Sequence, residues 1–206
     1  MNKIFIEARD NKTPEYHFLR TIIDLYFPAL DVDFICTNGI GNLFNETITN
    51  QMRQAQAMGD QVLILIDADT TATGYGFVKR KADIENDMQK LQISFPYFIY
   101  PNNQDDGILE NLMESLARRD LHKIFFDCFE DYEKCVSGVK DKDGQPLYNT
   151  PNLKSKLHTY INAQKLSNKL QKRFGSGDWL FNNINYWDLN SGDLQPLKDF
   201  FSTNLK

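Results

Sequence analysis

Three acidic side chains stand where apolar runs end. Glu7 closes the run Ile4-Phe5-Ile6, and Asp67 and Asp69 follow the continuous aliphatic run Val62-Leu63-Ile64-Leu65-Ile66. Residues i and i+2 of an extended chain point the same way, so Asp67 and Asp69 are expected to aim at one point beyond the strand end. If the first and third strands are neighbours, Glu7 joins them. Clustered, half-buried carboxylates raise one another's pKa, and a divalent cation relieves that repulsion. Mg²⁺, or Mn²⁺ in its place, takes one or two protein carboxylates and fills its shell with water and phosphate oxygens. The plainer reading is that acids at strand ends cap helices or line solvated turns. An Asp-x-Asp pair alone is common, but a buried strand leading into it, and a glutamate at the matching point of an earlier strand, favour a site.

The elements that must position these acids alternate along the first half of the chain. Lys3 to Ala8, Asp31 to Thr37, Val62 to Asp67 and Pro96 to Tyr100 read as strands. The third is continuously apolar, as suits a parallel strand buried on both faces. Between them, Thr13-Pro14 looks like an N-cap followed by proline, opening a helix whose apolar face is Phe18, Leu19, Ile22, Ile23 and Tyr26. Further helices are expected over Leu43 to Met58, Gly76 to Leu91 and Ile108 to Ala117. This order predicts an α/β fold: a Rossmann-like, mostly parallel sheet of about four strands with helices on both faces. Ligands of such sheets bind at the carboxyl ends of the strands. After residue 118 the rhythm changes. Leu121 to Val136 reads as a helix, Ser137 to Asn152 as a loop, and Leu153 to Phe174 as one long helix. The aromatic tail, with Trp179, Phe181, Tyr186, Trp187 and Phe200, is expected to pack back on the body. Residues 1–118 then form the α/β core, and 119–206 a helical extension packing back on it, in one domain with it or as a second.

Glu7 after the first strand, with Asp67 and Asp69 after the third, resembles the TOPRIM domain of bacterial primases, topoisomerases and OLD-type nucleases. The glycine turn Asn38-Gly39-Ile40-Gly41-Asn42 is also similar. The resemblance covers about Lys3 to Leu116. Asp106-Gly107-Ile108-Leu109-Glu110 and Tyr186-Trp187-Asp188-Leu189 look more like the small stand-alone prokaryotic TOPRIM-like proteins of unknown function. Two positions depart from the pattern: Ala8 follows Glu7 where glycine is usual, and Gly74 comes late after the acid pair. The resemblance implies metal-dependent phosphoryl chemistry on DNA or RNA. Asp67 and Asp69 would hold Mg²⁺ (or Mn²⁺), and Glu7 would be a general acid/base or a ligand to a second ion. No primase, topoisomerase or ATPase apparatus accompanies the core. Phosphodiester hydrolysis by a small nuclease is therefore the expected activity.

Two other readings accompany it. Asp67-Ala68-Asp69-Thr70-Thr71 fits the nucleophile motif of haloacid-dehalogenase-like (HAD-like) phosphatases, with Asp67 attacking phosphorus and Asp69 shuttling the proton. That motif normally opens its fold, and here two β-α units precede it. Alternatively, the core is a catalytically silent binding module. Asp106 and Glu110 are candidate ligands for a second metal; helix capping by Asp105 or Asp106 and solvent exposure of Glu110 are the plainer readings. The stretch Leu153 to Phe174 carries Lys154, Lys156, Lys165, Lys169, Lys172 and Arg173 and no acid. It could track a nucleic-acid backbone, or it could balance Asp105 to Asp143, where eleven acids meet six bases.

Composition narrows the class. The 206 residues include 23 basic and 28 acidic side chains, a net charge of −5, which excludes a basic coat protein but not an enzyme that meets phosphates through a metal. The longest aliphatic run is far short of the roughly 20 apolar residues a membrane helix needs. The N-terminus lacks a signal-peptide pattern. Cys36, Cys128 and Cys135 form no Cys-x-x-Cys pair and fit a reduced cytoplasm. Gly39-x-Gly41 and Gly74-x-Gly76 fail the dinucleotide fingerprint, so no nicotinamide cofactor is expected.

Overall fold

The computed structural model describes residues 1–206. The four apolar runs become β1 (Asn2–Ile6), β2 (Val32–Cys36), β3 (Gln61–Asp67) and β4 (Tyr97–Tyr100), all parallel and ordered β2-β1-β3-β4. Alternation along each strand feeds two cores. Ile4, Ile6, Leu63, Leu65, Phe98 and Tyr100 face a layer built by α1 (Pro14–Tyr26), α4 (Leu109–Leu116) and the C-terminal elements. Phe5, Val62, Ile64, Ile66 and Ile99 face α2 (Glu46–Ala57) and α3 (Phe77–Leu91). Helices therefore cover both faces, as parallel strands with no polar face require.

Local signals set the helix starts. Thr13 accepts a hydrogen bond from the Tyr16 amide, and Pro14 opens α1. Asn45 accepts from the Ile48 amide, so α2 begins at Glu46 rather than at Leu43, after a single 3₁₀ turn over Ile40–Asn42.

The second half is helical but differs from the expected single long helix after Leu153. α5 (Lys123–Ser137) is followed by α6 (Leu153–Asn162) and a separate α7 (Asn168–Gly175). The break falls where Ser167 accepts from the Leu170 amide and caps a new start; a side-chain oxygen at that position competes with continuation of the helix. Residues of the aromatic tail join the larger core. Trp187 is buried and its indole N–H donates to the Trp179 carbonyl at 2.8 Å. α8 (Gln195–Asn204) places Leu197 and Phe201 in the same core as β1. The termini meet, with the Asn2 amide side chain donating to the Lys206 carbonyl (2.8 Å) and accepting from the Lys206 amide (3.0 Å). No helix is long and apolar enough to cross a membrane.

Candidate functional site

Register brings the first two acids together. Ile6 pairs with Leu65, so the residues just beyond, Glu7 and Asp67, emerge at one edge of the sheet. Glu7 Oε1 accepts a hydrogen bond from the Asp67 amide at 2.9 Å. Asp67 Oδ1 accepts from the Leu109 amide, the first residue of α4, at 2.7 Å. Amides at a helix N-terminus carry partial positive charge, which orients this carboxylate.

Asp69 goes elsewhere. The extended-chain rule ends with β3, and Asp69 adopts a left-handed backbone (φ 61°). Its Oδ2 accepts from Arg80 Nη2 at 2.5 Å, on α3. Arg80 is buried, donates also from Nε to the Asp67 carbonyl at 3.1 Å, and stacks 4.2 Å over the Tyr75 ring. Asp67 is thus directed toward α4 and Asp69 toward α3.

Glu7 and Asp67 line a cleft of about 460 Å³ together with Glu15 and Glu110, and Arg9, Lys12 and Lys154 supply positive charge around it. Asp69 does not line this cleft. Glu15 escaped sequence reading because it sits in the first turn of α1, where an acid is ordinarily explained by the helix dipole. Its only sequence signal is the topology: in an α/β sheet, the start of the helix after β1 lies at the ligand edge.

The electrostatics are those of crowded carboxyl groups. Burial, and then the charge of Glu7, pushes Asp67 well above the usual carboxylate range, against the opposing Leu109 amide. Burial, followed by Asp67, Glu7 and Glu110, does the same to Glu15. Glu7 is raised by burial, while the Asp67 amide and the Arg80 charge hold it down. None of these three carboxyl groups takes part in an ion pair; Glu110 has Lys154 at 3.7 Å.

The remaining sequence candidates separate. Asp106 does not line the cleft; its Oδ1 accepts from the Phe77 amide at 2.7 Å and caps α3, not the helix that follows it in sequence. Glu110 and Lys154 reach the cleft. Lys165, Lys169 and Lys172 are exposed, whereas Arg173 is engaged with Asp178 (2.7 Å) and Asn182 (3.1 Å). Lys156, from the same basic stretch, is buried against Glu114, Glu130 and Glu133, which ties α6 to α4 and α5.

Glu7, Asp67 and Glu15, carboxylates outside any ion pair, are hard oxygen donors of the kind that suits Mg²⁺ or Mn²⁺. No three of the side chains converge on a single point. An ion here would take one or two of them and complete its shell with water, as Mg²⁺ commonly does.

Fold and cleft together define an α/β protein with an acidic cleft at its strand ends. The chain belongs to the family described as "Protein of unknown function (DUF3226)", whose model matches residues 15–206. That match takes in Glu15, Asp67, Asp69 and Glu110 and begins beyond Glu7. No curated protein and no solved structure matches the chain.

Proposed function

We propose that this chain is a TOPRIM-like, divalent-metal-dependent phosphodiester hydrolase acting on DNA or RNA. The observation that carries this reading is the pair Glu7 and Asp67, held side by side at the carboxyl ends of adjacent parallel strands with no cationic partner. Mg²⁺ or Mn²⁺ held by these carboxylates would supply Lewis-acid polarisation of a phosphoryl oxygen. The chain's own residues do the rest. The Leu109 amide holds one Asp67 oxygen and the Asp67 amide holds one Glu7 oxygen, and both residues line the cleft. Lys12, Arg9 and Lys154 are placed to meet phosphate charge at the opening. Arg80 neutralises Asp69 and anchors the end of β3, so Asp69 supports the site rather than facing substrate.

The HAD-like alternative needs Asp69 beside the reacting phosphorus, and Asp69 is paired with Arg80 outside the cleft. Calorimetric titration with Mn²⁺, paired with cleavage assays on labelled DNA, labelled RNA and p-nitrophenyl phosphate, tests the reading. The expected result is ion binding and polynucleotide cleavage, both lost in Asp67→Asn. Turnover of p-nitrophenyl phosphate alone would favour the phosphatase. Absence of ion binding and of cleavage would leave a silent binding module.

A further inference from the structure

An unpartnered apolar face lies outside the acid cleft. Twelve large apolar side chains are exposed along the chain, and six of them, Leu121, Ile124, Tyr132, Val139, Leu147 and Tyr148, fall between residues 121 and 148. Phe126 is the only buried residue of that stretch, although α5 occupies more than half of it. Clustered apolar exposure of this kind marks an interaction surface. The spacing along it is regular. Leu121, Phe125, Cys128, Tyr132, Cys135 and Val139 follow one another by four, three, four, three and four residues. That is the alternation by which one helix packs its seam against another. Phe125, Cys128 and Tyr132, with Phe129, line one wall of a groove of about 610 Å³, and Pro151, Ser155 and Thr159 complete it.

We propose that this face binds the same face of a second copy of the chain, giving a two-fold dimer in which the α5 helices lie antiparallel. Charge singles out that occupant. Along α5, Asp127 pairs with Lys123, Asp131 with Lys134 at 3.3 Å, Glu130 with Arg119 at 2.7 Å and Glu133 with Lys156 at 3.9 Å. Lys140, Asp141, Lys142 and Asp143 balance one another in the turn that follows. A strongly basic or acidic partner would find no free counter-charge here, whereas a neutral apolar seam is complemented by another of the same kind. A two-fold axis supplies that match, since one patch then serves both sides. Antiparallel alignment also sets the positive end of each helix dipole beside the negative end of the other. The extent is sufficient: one side of a standard interface takes about 20–30 residues, and of the 28 residues from 121 to 148 all but Phe126 are at least partly exposed. A seam of about two and a half heptads is short, so the dimer should come apart on dilution. The pairing needs no metal and holds whether or not the acid cleft is catalytic.

Sedimentation equilibrium of the metal-free full chain over a dilution series is the test. The wild-type chain is expected to shift from dimer to monomer as it is diluted, with a Tm that rises with concentration because association stabilises the folded chain. Tyr132 is 51% exposed, so Tyr132→Glu should fold normally while placing a charge in the seam. It should weaken the dimer by about 30-fold or more, the effect of losing a central interface residue, and its Tm should not vary with concentration. Tyr132→Phe keeps the seam apolar and should keep the dimer. Leu25→Glu, a comparable change at an exposed leucine of α1, should leave the mass unchanged. A wild-type chain that stays monomeric up to about 1 mM overturns the inference. So does a dimer that Tyr132→Glu leaves intact, which would put the contact on another face. A monomer that sediments with phosphatidylcholine–phosphatidylglycerol vesicles, and loses this in Tyr132→Glu, would give the face to a lipid surface and overturn it as well.

Discussion

Asp67 and Glu15 are acids whose protons are held more tightly in the folded chain than in the unfolded one. For a carboxyl raised in this way the stabilisation is complete below the unfolded value, near 4, and is lost as pH rises through the higher folded value. In the metal-free protein these groups therefore lower stability as the solution goes from mildly acid to neutral. Glu15→Gln should flatten that dependence, gaining Tm relative to wild type at pH 7.5 and little at pH 4.5. A wild-type and variant pair with the same difference at both pH values would refute the assignment. Glu130 acts in the opposite sense: Arg119 beside it holds its pKa down at about 2, so its contribution is lost as pH falls below the ordinary glutamate value toward 2. The difference between variant and wild type isolates the cleft from that background. Saturating Mn²⁺ should restore stability at neutral pH, because an ion that binds only the folded chain stabilises it by mass action. Asp67→Asn should be more stable than wild type without metal and insensitive to Mn²⁺, as thermal melting with and without the ion would show.

At the scale of elements, Arg80 joins β3 to α3, and much of the site's shape depends on it. Its guanidinium satisfies a backbone carbonyl and a carboxylate while lying on the Tyr75 ring. Arg80→Ala should cost about 1–3 kcal/mol, set by hydrogen bonds to charged groups and reduced because Asp69 is about a third exposed. It should also lower Mn²⁺ affinity by loosening the end of β3. Chemical denaturation and calorimetry on the same variant would measure both effects, and unchanged metal affinity would confine Arg80 to a stability role. Arg80 was invisible in the sequence, where one more basic residue on an amphipathic helix reads as a solvated face. The strands were legible because burial on both faces demands unbroken apolar runs, and Val62 to Ile66 has no polar interruption. Their adjacency was not, since strand order is a tertiary property. Asp69 departs from the expected direction because the period-2 rule holds only while the chain stays extended, and its left-handed backbone lies two residues past the end of β3. Ser167 hid the break between α6 and α7: a single serine in a lysine-rich helical pattern carries little weight until its hydroxyl is seen to accept from the Leu170 amide.

For the whole molecule, the shift in composition near residue 118 does not coincide with a shift in packing. The larger core has 31 buried members, and thirteen of them come from beyond residue 118, among them Phe126, Trp179, Phe181, Trp187, Leu197 and Phe201. They cover the same face of the sheet that Ile4, Ile6, Leu63 and Leu65 present. Fully burying one large apolar side chain contributes about 1.5–3 kcal/mol, while a domain's net stability is about 5–15 kcal/mol. Without these thirteen side chains the apolar face of β1 and β3 that they cover would be left in water. A fragment spanning residues 1–118 is therefore expected not to fold cooperatively. It should lack a sigmoidal denaturant transition, bind hydrophobic dye, and fail to bind Mn²⁺, although it contains Glu7, Glu15, Asp67 and Glu110. Co-expression with residues 119–206 should restore folding if the two pieces can pair through the aromatic cluster. A fragment that melts cooperatively and binds Mn²⁺ like the full chain would show instead that the α/β core stands alone and that the tail is an attachment. The tie between Asn2 and Lys206 sharpens the same point. Asn2 is fully buried at the edge opposite the cleft, and its side chain bonds the last residue of the chain. Asn2→Ala leaves the Lys206 carbonyl and amide without these bonds, for an expected loss of about 1–3 kcal/mol. Because the change lies at the far end of β1 from Glu7, Mn²⁺ affinity should stay within twofold while the denaturation midpoint falls, the reverse of the pattern expected for Asp67→Asn.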